Sequence, residues 1–353
     1  MRVGVVGCGY WGSKHVRVLH GIPDVDQVVA IDQCEDRLRA LQRSFPSLLL
    51  RSSLEEALDD VDAVVVATPP AVHASIASAA MGAGKAVLVE KPLATSVLDA
   101  ERMLEESTRN SVVLMVGHTF EHNAAVWKLR DLVRSQVLGH VFYLDSARLN
   151  LGLYQPDVNV IWDLAPHDVS IFNYILSAEP AWVQAWGSRH AHSTLEDVAY
   201  LRLGYTDLDL TANIHVSWLD PCKVRRVTVV GSRQMVVYND LASDDRIRIF
   251  DKGVAVPDGA GDVPQMPMSY RYGEIVSPYV AFEEPLAVQD RHFVSCVLRG
   301  DRAPSPSRPR APGPTRRPGS DRPRRRRRSR ASAPATPRAG GAAPPLAPQP
   351  AGR

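Results

Sequence analysis

The chain has 353 residues, 45% of them hydrophobic, and a formal net charge of +2 at pH 7. A chain of this length can bury two cores, so two domains are favoured over one. The net charge averages two unlike parts. The segment from Ala303 onward holds 13 arginines and one acidic residue, whereas residues 1–302 hold 28 basic and 38 acidic residues. We therefore interpret this tail separately from the body.

The cysteines and the apolar runs exclude several classes of protein. Cys8, Cys34, Cys222 and Cys296 lie far apart, without the spacing of a disulfide framework or a zinc site. The apolar run near Met1 is too short for a signal peptide, and no run approaches the roughly 20 apolar residues that span a bilayer. We expect a cytoplasmic protein with no metal site and no membrane segment.

A glycine-rich hexad follows the first β-branched run. The sequence Gly7-Cys8-Gly9-Tyr10-Trp11-Gly12 stands between Val3 to Val6 and an amphipathic segment that ends near His20. In a strand–turn–helix unit, the first glycine permits the tight turn, the second lets a pyrophosphate approach the backbone, and the third allows close packing. The hexad therefore predicts a dinucleotide-binding site.

A carboxylate at the end of the second predicted strand indicates which dinucleotide binds. The run Val28 to Ile31 ends in Asp32, 20 residues after Gly12, where a carboxylate can accept both ribose hydroxyls of NAD. A carboxylate would repel the 2′-phosphate of NADP, and the next residue is Gln33 rather than arginine. We expect NAD, in preference to NADP, as the cofactor.

Strand and helix segments alternate up to about residue 120. The run Ala63 to Ala67 ends in Thr68-Pro69-Pro70, and His73 follows three residues later. We expect Thr68, Pro69 and His73 beside the cofactor, although a capping or packing role explains His73 equally well. Such alternation indicates a parallel, doubly wound α/β sheet that binds ligands at the carboxyl ends of its strands.

The tripeptide Glu90-Lys91-Pro92 ends the apolar run Ala86 to Val89. A strand that ends in a cation and a proline packs poorly, but it holds an ammonium group at the sheet edge where ligands bind. We expect all three residues at the cofactor site and Lys91 in the chemistry.

From Val141 onward the pattern changes to consecutive strand-like runs. Several alternate polar and apolar residues, as around Val227 and Val229, which favours an antiparallel sheet with one covered face. One helix, roughly Asp163 to Ser177, interrupts them. The predicted organisation is a dinucleotide-binding domain at 1–120, an α+β domain with an open, mainly antiparallel sheet at 121–302, and a tail at 303–353.

Asp163 and His167 are four residues apart on that helix and therefore lie one turn from each other. A carboxylate at this spacing can orient an imidazole and raise its basicity, so that the other ring nitrogen is free to take a proton. Pro166 would then lie in the first helical turn and place both residues at the helix start. The alternative is that Asp163 is an N-cap and His167 a packed side chain.

With these motifs in this order, the chain resembles the Gfo/Idh/MocA oxidoreductases over about residues 1–302. Glu90-Lys91-Pro92 and the Asp163 to His167 pair are more specific to that family than the hexad. The resemblance implies a Rossmann domain, a C-terminal open sheet, a tightly held nicotinamide cofactor and a sugar or cyclitol substrate. It implies that His167 is the general base, that Lys91 stabilises the developing alkoxide, that Asp163 orients His167, and that no metal is required. It also implies a homo-oligomer, a dimer or tetramer, joined through the exposed sheet face.

Within the family, three stretches are similar to nucleotide-sugar 3-dehydrogenases, namely 148–152, 162–168 and 218–226. Such enzymes oxidise the C3 hydroxyl of a UDP-hexose before transamination, in polysaccharide or antibiotic amino-sugar pathways. Lys223, Arg225 and Arg226 could supply charge for a diphosphate, but strand alternation puts Arg225 and Arg226 on opposite faces. A solvated sheet face explains these cations about as well. His190 and His192 are interpreted as surface residues.

The tail departs from the family, whose members continue into a glycine-rich turn and a final apolar helix. Here a predicted helix at Glu284 to Arg299 is followed by 13 prolines, the arginine run Arg324 to Arg328 and a single larger aliphatic residue, Leu346. Such a segment cannot bury enough surface to offset its ordering entropy, so we predict disorder. The tail is either an electrostatic arm or, as we prefer, the product of a reading-frame shift.

Taken together, the sequence predicts an NAD-dependent oxidoreductase that transfers hydride from C3 of a UDP-hexose to nicotinamide. A dehydrogenase of free sugars or inositol is the first alternative. A non-catalytic regulator that binds NAD or sugar nucleotides is the second, although the presence of Lys91, Asp163 and His167 argues against it. Nucleic acid binding through the tail is disfavoured.

Overall fold

The structure is a computed structural model, and it describes residues 1–155, 157–191, 194–255 and 269–300. The predicted tail at 303–353 and the predicted surface residue His192 lie outside these described residues. No helix within the described ranges combines the length and the apolarity needed to cross a membrane.

Six parallel strands form the first sheet, in the order β3-β2-β1-β4-β5-β6. They are β1 (Arg2–Val6), β2 (Gln27–Ile31), β3 (Leu49–Arg51), β4 (Ala63–Val66), β5 (Ala86–Glu90) and β6 (Leu114–Gly117). The strand order reverses between β1 and β4, so the ligand crevice lies at their carboxyl ends. The predicted doubly wound α/β sheet is confirmed. The three-residue β3 was missed because it is too short to show a periodic pattern.

Five helices connect these strands. They are α1 (Tyr10–His20), α2 (Glu35–Ser44), α3 (Leu54–Ala57), α4 (His73–Gly82) and α5 (Val97–Arg109). The side chains of Ser53 and Ser96 cap α3 and α5 by accepting main-chain N–H groups, which is a favoured way to begin a helix. By contrast, α1 begins after Gly9 without a side-chain cap, so its first N–H groups remain free for a ligand.

Apolar side chains fill both faces of this sheet. Val64 and Val65 are fully buried, yet they belong to different clusters. Val65 packs in the cluster that contains Leu19 of α1, whereas Val64 packs in the cluster that contains Met81 of α4. Adjacent strand residues face opposite helix layers, so nearly continuous valine runs are required where helices cover both faces.

Eight strands form the second sheet, in the order β14-β13-β12-β11-β7-β10-β9-β8. They are β7 (Val141–Leu151), β8 (Trp182–Ser188), β9 (Val198–Tyr205), β10 (Leu210–Ser217), β11 (Leu219–Gly231), β12 (Met235–Asn239), β13 (Ile247–Ala255) and β14 (Ser269–Val276). Only β7 and β10 pair in parallel in this described sheet. The mainly antiparallel sheet is therefore confirmed.

Two helices cover one face of the second sheet, α6 (Ala124–Arg134) and α7 (Val160–Leu176). Asn159 caps α7, because its side-chain oxygen accepts the N–H of Trp162 at 3.2 Å. The prediction that Pro166 lies in the first helical turn was wrong, since the helix starts at Val160 and Pro166 lies inside it. The prediction assumed that proline occurs only in the first helical turn. Here the Asn159 cap begins the helix about one turn earlier than that assumption allows.

The last described helix is α8 (Pro285–Arg299), which ends at Gly300 with a φ of +64°. Leu286, Phe293 and Val294 of α8 belong to the core cluster of the first sheet. The predicted boundaries grouped this segment with the second domain, whereas its apolar stripe packs against the side of the first sheet that carries α1. Phe293 and Val294 follow Leu286 by seven and eight residues and therefore lie on one face of the helix, which must be buried against an apolar surface.

Candidate active site

The glycine hexad forms a tight turn between β1 and α1. Gly7 has a φ of +88°, and an added Cβ would lie 2.7 Å from the carbonyl oxygen of Ala67. At Gly12 an added Cβ would lie 1.7 Å from the carbonyl oxygen of Gly7, so both positions require glycine. At Gly9, by contrast, an added Cβ meets no described atom within 4 Å. This open space beside the uncapped start of α1 fits a pyrophosphate.

The carboxylate of Asp32 lies at the carboxyl end of β2, beside the hexad. Its Oδ2 accepts the N–H of Cys8 at 2.7 Å, and its Oδ1 accepts the N–H of Cys34 at 2.8 Å. The guanidinium of Arg37 lies 3.5 Å from Oδ2. Each carboxylate oxygen has room for a further hydrogen bond, so this fixed carboxylate fits the ribose hydroxyls of NAD.

A buried hydroxyl group also lies beside the turn. The Oγ1 of Thr68 is buried and makes no hydrogen bond within the part of the chain that the structure describes. The Cγ2 of the same side chain lies 2.8 Å from the Cβ position built on Gly7. A buried polar atom of this kind costs free energy until a partner binds it. The residues present therefore fit a bound dinucleotide.

His73 joins the loops that follow β4 and β5. Its Nδ1 lies 2.8 Å from the carbonyl oxygen of Pro92, and its Nε2 lies 2.8 Å from that of Thr68. Pro69 leads from Thr68 into a short 3₁₀ turn at Pro70–Val72. Carbonyl oxygens only accept hydrogen bonds, so a ring nitrogen that carries a proton donates to the carbonyl it faces, and the ring lies in contact with both loops. These contacts are those of the packing role that the sequence had left open.

Tyr10 and Trp11 lie at the surface, with 72% and 41% of their area exposed. The Nζ of Lys14 lies 4.0 Å from the centre of the Tyr10 ring and 5.0 Å from that of Trp11. Lys14 lowers the pKa of Tyr10, and Lys223 and Arg225 of β11 contribute in the same direction. Cations of α1 and of β11 therefore both act on Tyr10 at the edge of the cofactor turn.

The ammonium group of Lys91 bridges the two halves of the structure. Its Nζ donates to the main-chain oxygen of Asp163 at 2.8 Å and to Oδ1 of Asp163 at 3.0 Å. The Oδ2 of Asp163 accepts the indole N–H of Trp218 at 3.0 Å. The sequence assigned no contact to Trp218, because a fully buried tryptophan on an antiparallel sheet looks like ordinary core.

His167 lies one turn after Asp163, but the two side chains do not form the expected hydrogen bond. Both oxygens of Asp163 bind Lys91 and Trp218 instead, and Nδ1 of His167 is buried with no partner among the described residues. A spacing of four residues brings two side chains to one helix face, but here a cation on β5 and an indole on the sheet compete for the carboxylate. Asp163 therefore fixes Lys91, and the predicted Asp163 contact with His167 is replaced.

Aromatic packing orients His167 in place of a carboxylate. Its ring lies edge-on to Phe120 at 5.1 Å, and the guanidinium of Arg148 lies 4.6 Å from the same phenyl ring. Arg148 in turn forms a two-point ion pair with Asp168, at 2.8 and 3.2 Å. Burial lowers the pKa of His167 well below its ordinary value, and the charges of Lys91 and Arg148 lower it further.

A second buried histidine lies nearby on the loop after β6. Burial lowers the pKa of His118 to about 4, against an opposing effect of Glu90. His118 in turn contributes to the lowered pKa of His167. The sequence gave no role to His118, because a lone histidine after a strand carries no distinguishing spacing.

The remaining candidate residues make contacts with groups other than Lys91. Arg225 of β11 forms an ion pair with Asp240 at 3.3 Å. The next residue, Arg226, is exposed. His190 is half-exposed and its Nδ1 lies 2.8 Å from Oδ1 of the buried Asp197. Across the described ranges, no group of three or more His, Cys, Asp or Glu side chains could hold a metal ion.

Comparison with known proteins gives two matches to family descriptions. Residues 1–118 match "Oxidoreductase family, NAD-binding Rossmann fold", and residues 126–237 match "GFO/IDH/MocA C-terminal domain". These matches include strands of both sheets and together cover well over half of the chain. They confirm the predicted oxidoreductase class and its NAD-binding domain.

Individual relatives differ in their substrates. The chain is 31% identical over 195 residues to a myo-inositol 2-dehydrogenase from Thermotoga maritima, which covers 53% of this chain and 58% of that one. It is 27% identical over 277 residues to a UDP-N-acetylglucosamine 3-dehydrogenase from Acidithiobacillus ferrooxidans, which covers 76% and 80%. The chain thus spans little more than half of the first relative.

A solved structure shows the same architecture along both sheets. GenD2 from gentamicin A biosynthesis, solved in complex with NAD, has a TM-score of 0.69 and 25% identity, with 87% of this chain and 90% of that chain covered. Both parts of the chain match descriptions of the same family. The same chain carries the glycine turn, the fixed Asp32 and the Lys91 contact between the two halves of the structure. The chain belongs to the Gfo/Idh/MocA family of oxidoreductases.

Proposed function

We propose that the protein is an NAD-dependent dehydrogenase that oxidises a secondary hydroxyl, with C3 of a UDP-hexose as its substrate position. The observation that carries the proposal is the Lys91 ammonium, held at 2.8 and 3.0 Å by Asp163 at the junction of the two sheets. It lies at the carboxyl edge of β5, where a doubly wound sheet binds its ligands. An ammonium group fixed there is set to meet a substrate oxygen.

NAD, when bound, supplies the hydride acceptor at nicotinamide C4. The protein's own task is to remove the hydroxyl proton and to stabilise the negative charge that develops on the oxygen. Lys91 donates a hydrogen bond to that oxygen, since one of its three donors is free beyond the two used on Asp163. A preorganised cation of this kind stabilises the charge without reorganisation.

His167 takes the proton from the hydroxyl group. Because burial and the charge of Lys91 lower its pKa, the imidazole is neutral at physiological pH and can accept a proton. Phe120 limits rotation of the ring and thereby fixes the direction of proton transfer.

Two observations support a UDP-sugar substrate, namely how much of a UDP-sugar dehydrogenase aligns with this chain and the group of cations near Tyr10. The UDP-N-acetylglucosamine 3-dehydrogenase aligns along 80% of its length, which includes β11. Lys14 of α1, and then Lys223 and Arg225 of β11, lower the pKa of Tyr10, and such a group of cations suits a diphosphate. The second candidate substrate is inositol or a free sugar, which the 31% identity to an inositol dehydrogenase favours.

The test is NADH formation by the full chain with UDP-glucose, UDP-N-acetylglucosamine, UDP-N-acetylglucosaminuronate and myo-inositol. A separate assay adds 2-oxoglutarate to reoxidise tightly bound NADH and follows its reduction to 2-hydroxyglutarate instead of NADH. Turnover of one UDP-sugar supports the proposal. Turnover of myo-inositol alone replaces it by the second candidate, and NAD binding without turnover of any substrate contradicts both.

We also propose that the protein forms a homo-oligomer through the uncovered face of the second sheet. Trp186 and Tyr200 on that face are 61% and 46% exposed, and large exposed aromatic side chains mark interaction surfaces. Light scattering of the full chain tests this, because Trp186→Lys should produce monomers while Leu104→Lys, at an exposed helix position, should not.

A further inference from the structure

A buried ion cluster joins α1, β5 and α8 beneath the Glu90-Lys91-Pro92 tripeptide. His15 of α1 is fully buried. Its Nε2 lies 3.0 Å from Oε1 of Glu90, and its Nδ1 lies 2.9 Å from Oδ2 of Asp290. Both carboxylates lie at most 9% exposed. Since carboxylate oxygens accept hydrogen bonds, both ring nitrogens of His15 donate.

The charge of this cluster follows from its surroundings. Burial by itself lowers the pKa of His15, but Asp290 and Glu90 outweigh burial and raise it to about 10. Burial raises the pKa of Asp290, and His15 opposes that shift. His15 is therefore an imidazolium at neutral pH, with a donor for each carboxylate.

Glu90 connects this cluster to the reacting residue. Its Oε2 accepts the main-chain N–H of Lys91 at 3.2 Å. The same carboxylate lies against Gly117, the last residue of β6, where a Cβ would lie 3.1 Å from Oε1, so a larger side chain at this position would press on Glu90. The Glu90 side chain thus fixes the backbone from which the Lys91 side chain extends.

The position of α8 is coupled to the same point. Asp290 lies on the face of α8 that packs against α1, between Leu286 and Phe293 of the shared core. The neighbouring Gln289 accepts a hydrogen bond from Thr119 at 2.9 Å, which ties α8 to the loop after β6. Packing of α8 therefore determines where Asp290 holds His15.

We propose that His15 is a positioning residue for Lys91, because its imidazolium ties Glu90 to Asp290 and so makes the location of the Lys91 ammonium depend on α8. This inference rests on the proposed role of Lys91 in the reaction. Reacting groups lose about 10²-fold in rate for a displacement of about 1 Å, so a remote histidine can control turnover without contact with substrate.

Two variants of His15 separate positioning from packing. The amide of Asn overlays the Nδ1 position and keeps the contact with Asp290, whereas the longer Gln places its amide at the Nε2 position and keeps the contact with Glu90. We expect His15→Asn, which releases Glu90, to lower kcat at least about tenfold, and His15→Gln, which keeps Glu90 but loses Asp290, to lower it only about threefold. The KM for NAD should change little in both. Equal kcat per folded molecule in the two variants overturns the proposal.

A second readout does not need a substrate. Acetic anhydride modifies free amines, and mass spectrometry of the full chain gives the rate at Lys91 relative to Lys85, whose Nζ donates to the carbonyl oxygen of Val61 at 3.0 Å. We expect the Lys91 rate to rise about tenfold in His15→Asn and about threefold in His15→Gln, which loses only the Asp290 contact. Equal rates in the two variants overturn the positioning role.

The outcomes distinguish this inference from the proposed function. A difference in labelling without turnover on any substrate would reject the dehydrogenase role and keep the positioning role. If His15→Asn fails to fold, Asp290→Asn replaces it, because the amide preserves volume and removes the charge. Labelling of Lys91 that is unchanged in folded Asp290→Asn overturns the link to α8.

Discussion

Asp163 holds Lys91 through two oxygens at once, its main-chain carbonyl and its carboxylate Oδ1, at 2.8 and 3.0 Å from Nζ. The helix α7 supplies both acceptors from a single residue. The ammonium group is therefore fixed in direction as well as in distance. Because Oδ2 of the same carboxylate accepts the indole N–H of Trp218, neither carboxylate oxygen binds His167.

The first prediction concerns Lys91. Lys91→Met keeps the length of the side chain and removes its donors and charge, so kcat should fall by roughly 10²- to 10⁴-fold, the usual worth of acid–base assistance. NAD affinity, measured by calorimetry, should remain. Lys85→Met, at a site with a structural contact only, is the control. An equal loss of NAD binding in Lys91→Met would contradict the role given to this residue.

The second prediction concerns the pH dependence of His167. Burial lowers its pKa, and Lys91 and Arg148 lower it further. The imidazole therefore stays unprotonated at pH values below the ordinary pKa of histidine. The acid limb of kcat/KM should therefore lie below pH 6.5. In Lys91→Met that limb should move to higher pH, since a cation that disfavours imidazolium is removed. A limb that stays in place would exclude electrostatic coupling between the two residues.

The third prediction concerns cofactor selection by Asp32. Asp32→Ala removes a carboxylate that two main-chain N–H groups hold in place and leaves Arg37 unpaired nearby. Affinity for NAD should fall about tenfold or more, because hydrogen bonds to charged groups contribute about 1.5–3 kcal/mol. Affinity for NADP should rise in the same variant. Titration of both cofactors tests this, and an unchanged ratio of the two constants would refute it.

The fourth prediction concerns the contribution of α8 to stability. Phe293 is fully buried in the core of the first sheet, so Phe293→Ala should lower the free energy of unfolding by about 3–5 kcal/mol. Leu298 lies on the same helix but is 55% exposed, and Leu298→Ala should change it by less than about 0.5 kcal/mol. Denaturant unfolding of the two variants measures the difference, and similar losses would show that α8 is not docked as described.

The fifth prediction concerns the pH dependence of stability through His15. Its pKa rises from 6.5 to about 10 on folding, so the folded state binds this proton more tightly than the unfolded chain. The resulting stabilisation is complete below pH 6.5 and is lost as pH rises toward 10. Unfolding free energies from pH 6 to 10 should therefore decline in the wild type. In His15→Gln the decline should be smaller, and an equal slope in both proteins would reject the charged state of the cluster.

Local signals in the sequence were sufficient for much of the Rossmann half. The glycine hexad, the carboxylate at Asp32 and the valine runs each have a physical meaning that depends on neighbours a few residues away. Turn geometry, ribose recognition and two-sided burial are such local properties. For the second half, the alternation of polar and apolar residues predicted an antiparallel sheet, and the family resemblance implied the same architecture.

The sequence by itself predicted Lys91, Asp163 and His167 as the residues that carry the chemistry, and it did so through the family resemblance of their motifs. Tertiary structure alone decided which of them touch. Asp163 binds Lys91 and Trp218 rather than His167, since residues 72 and 55 positions away in sequence meet its carboxylate first. The same reason explains His15, Glu90 and Asp290, whose contact brings together three segments that no periodicity connects.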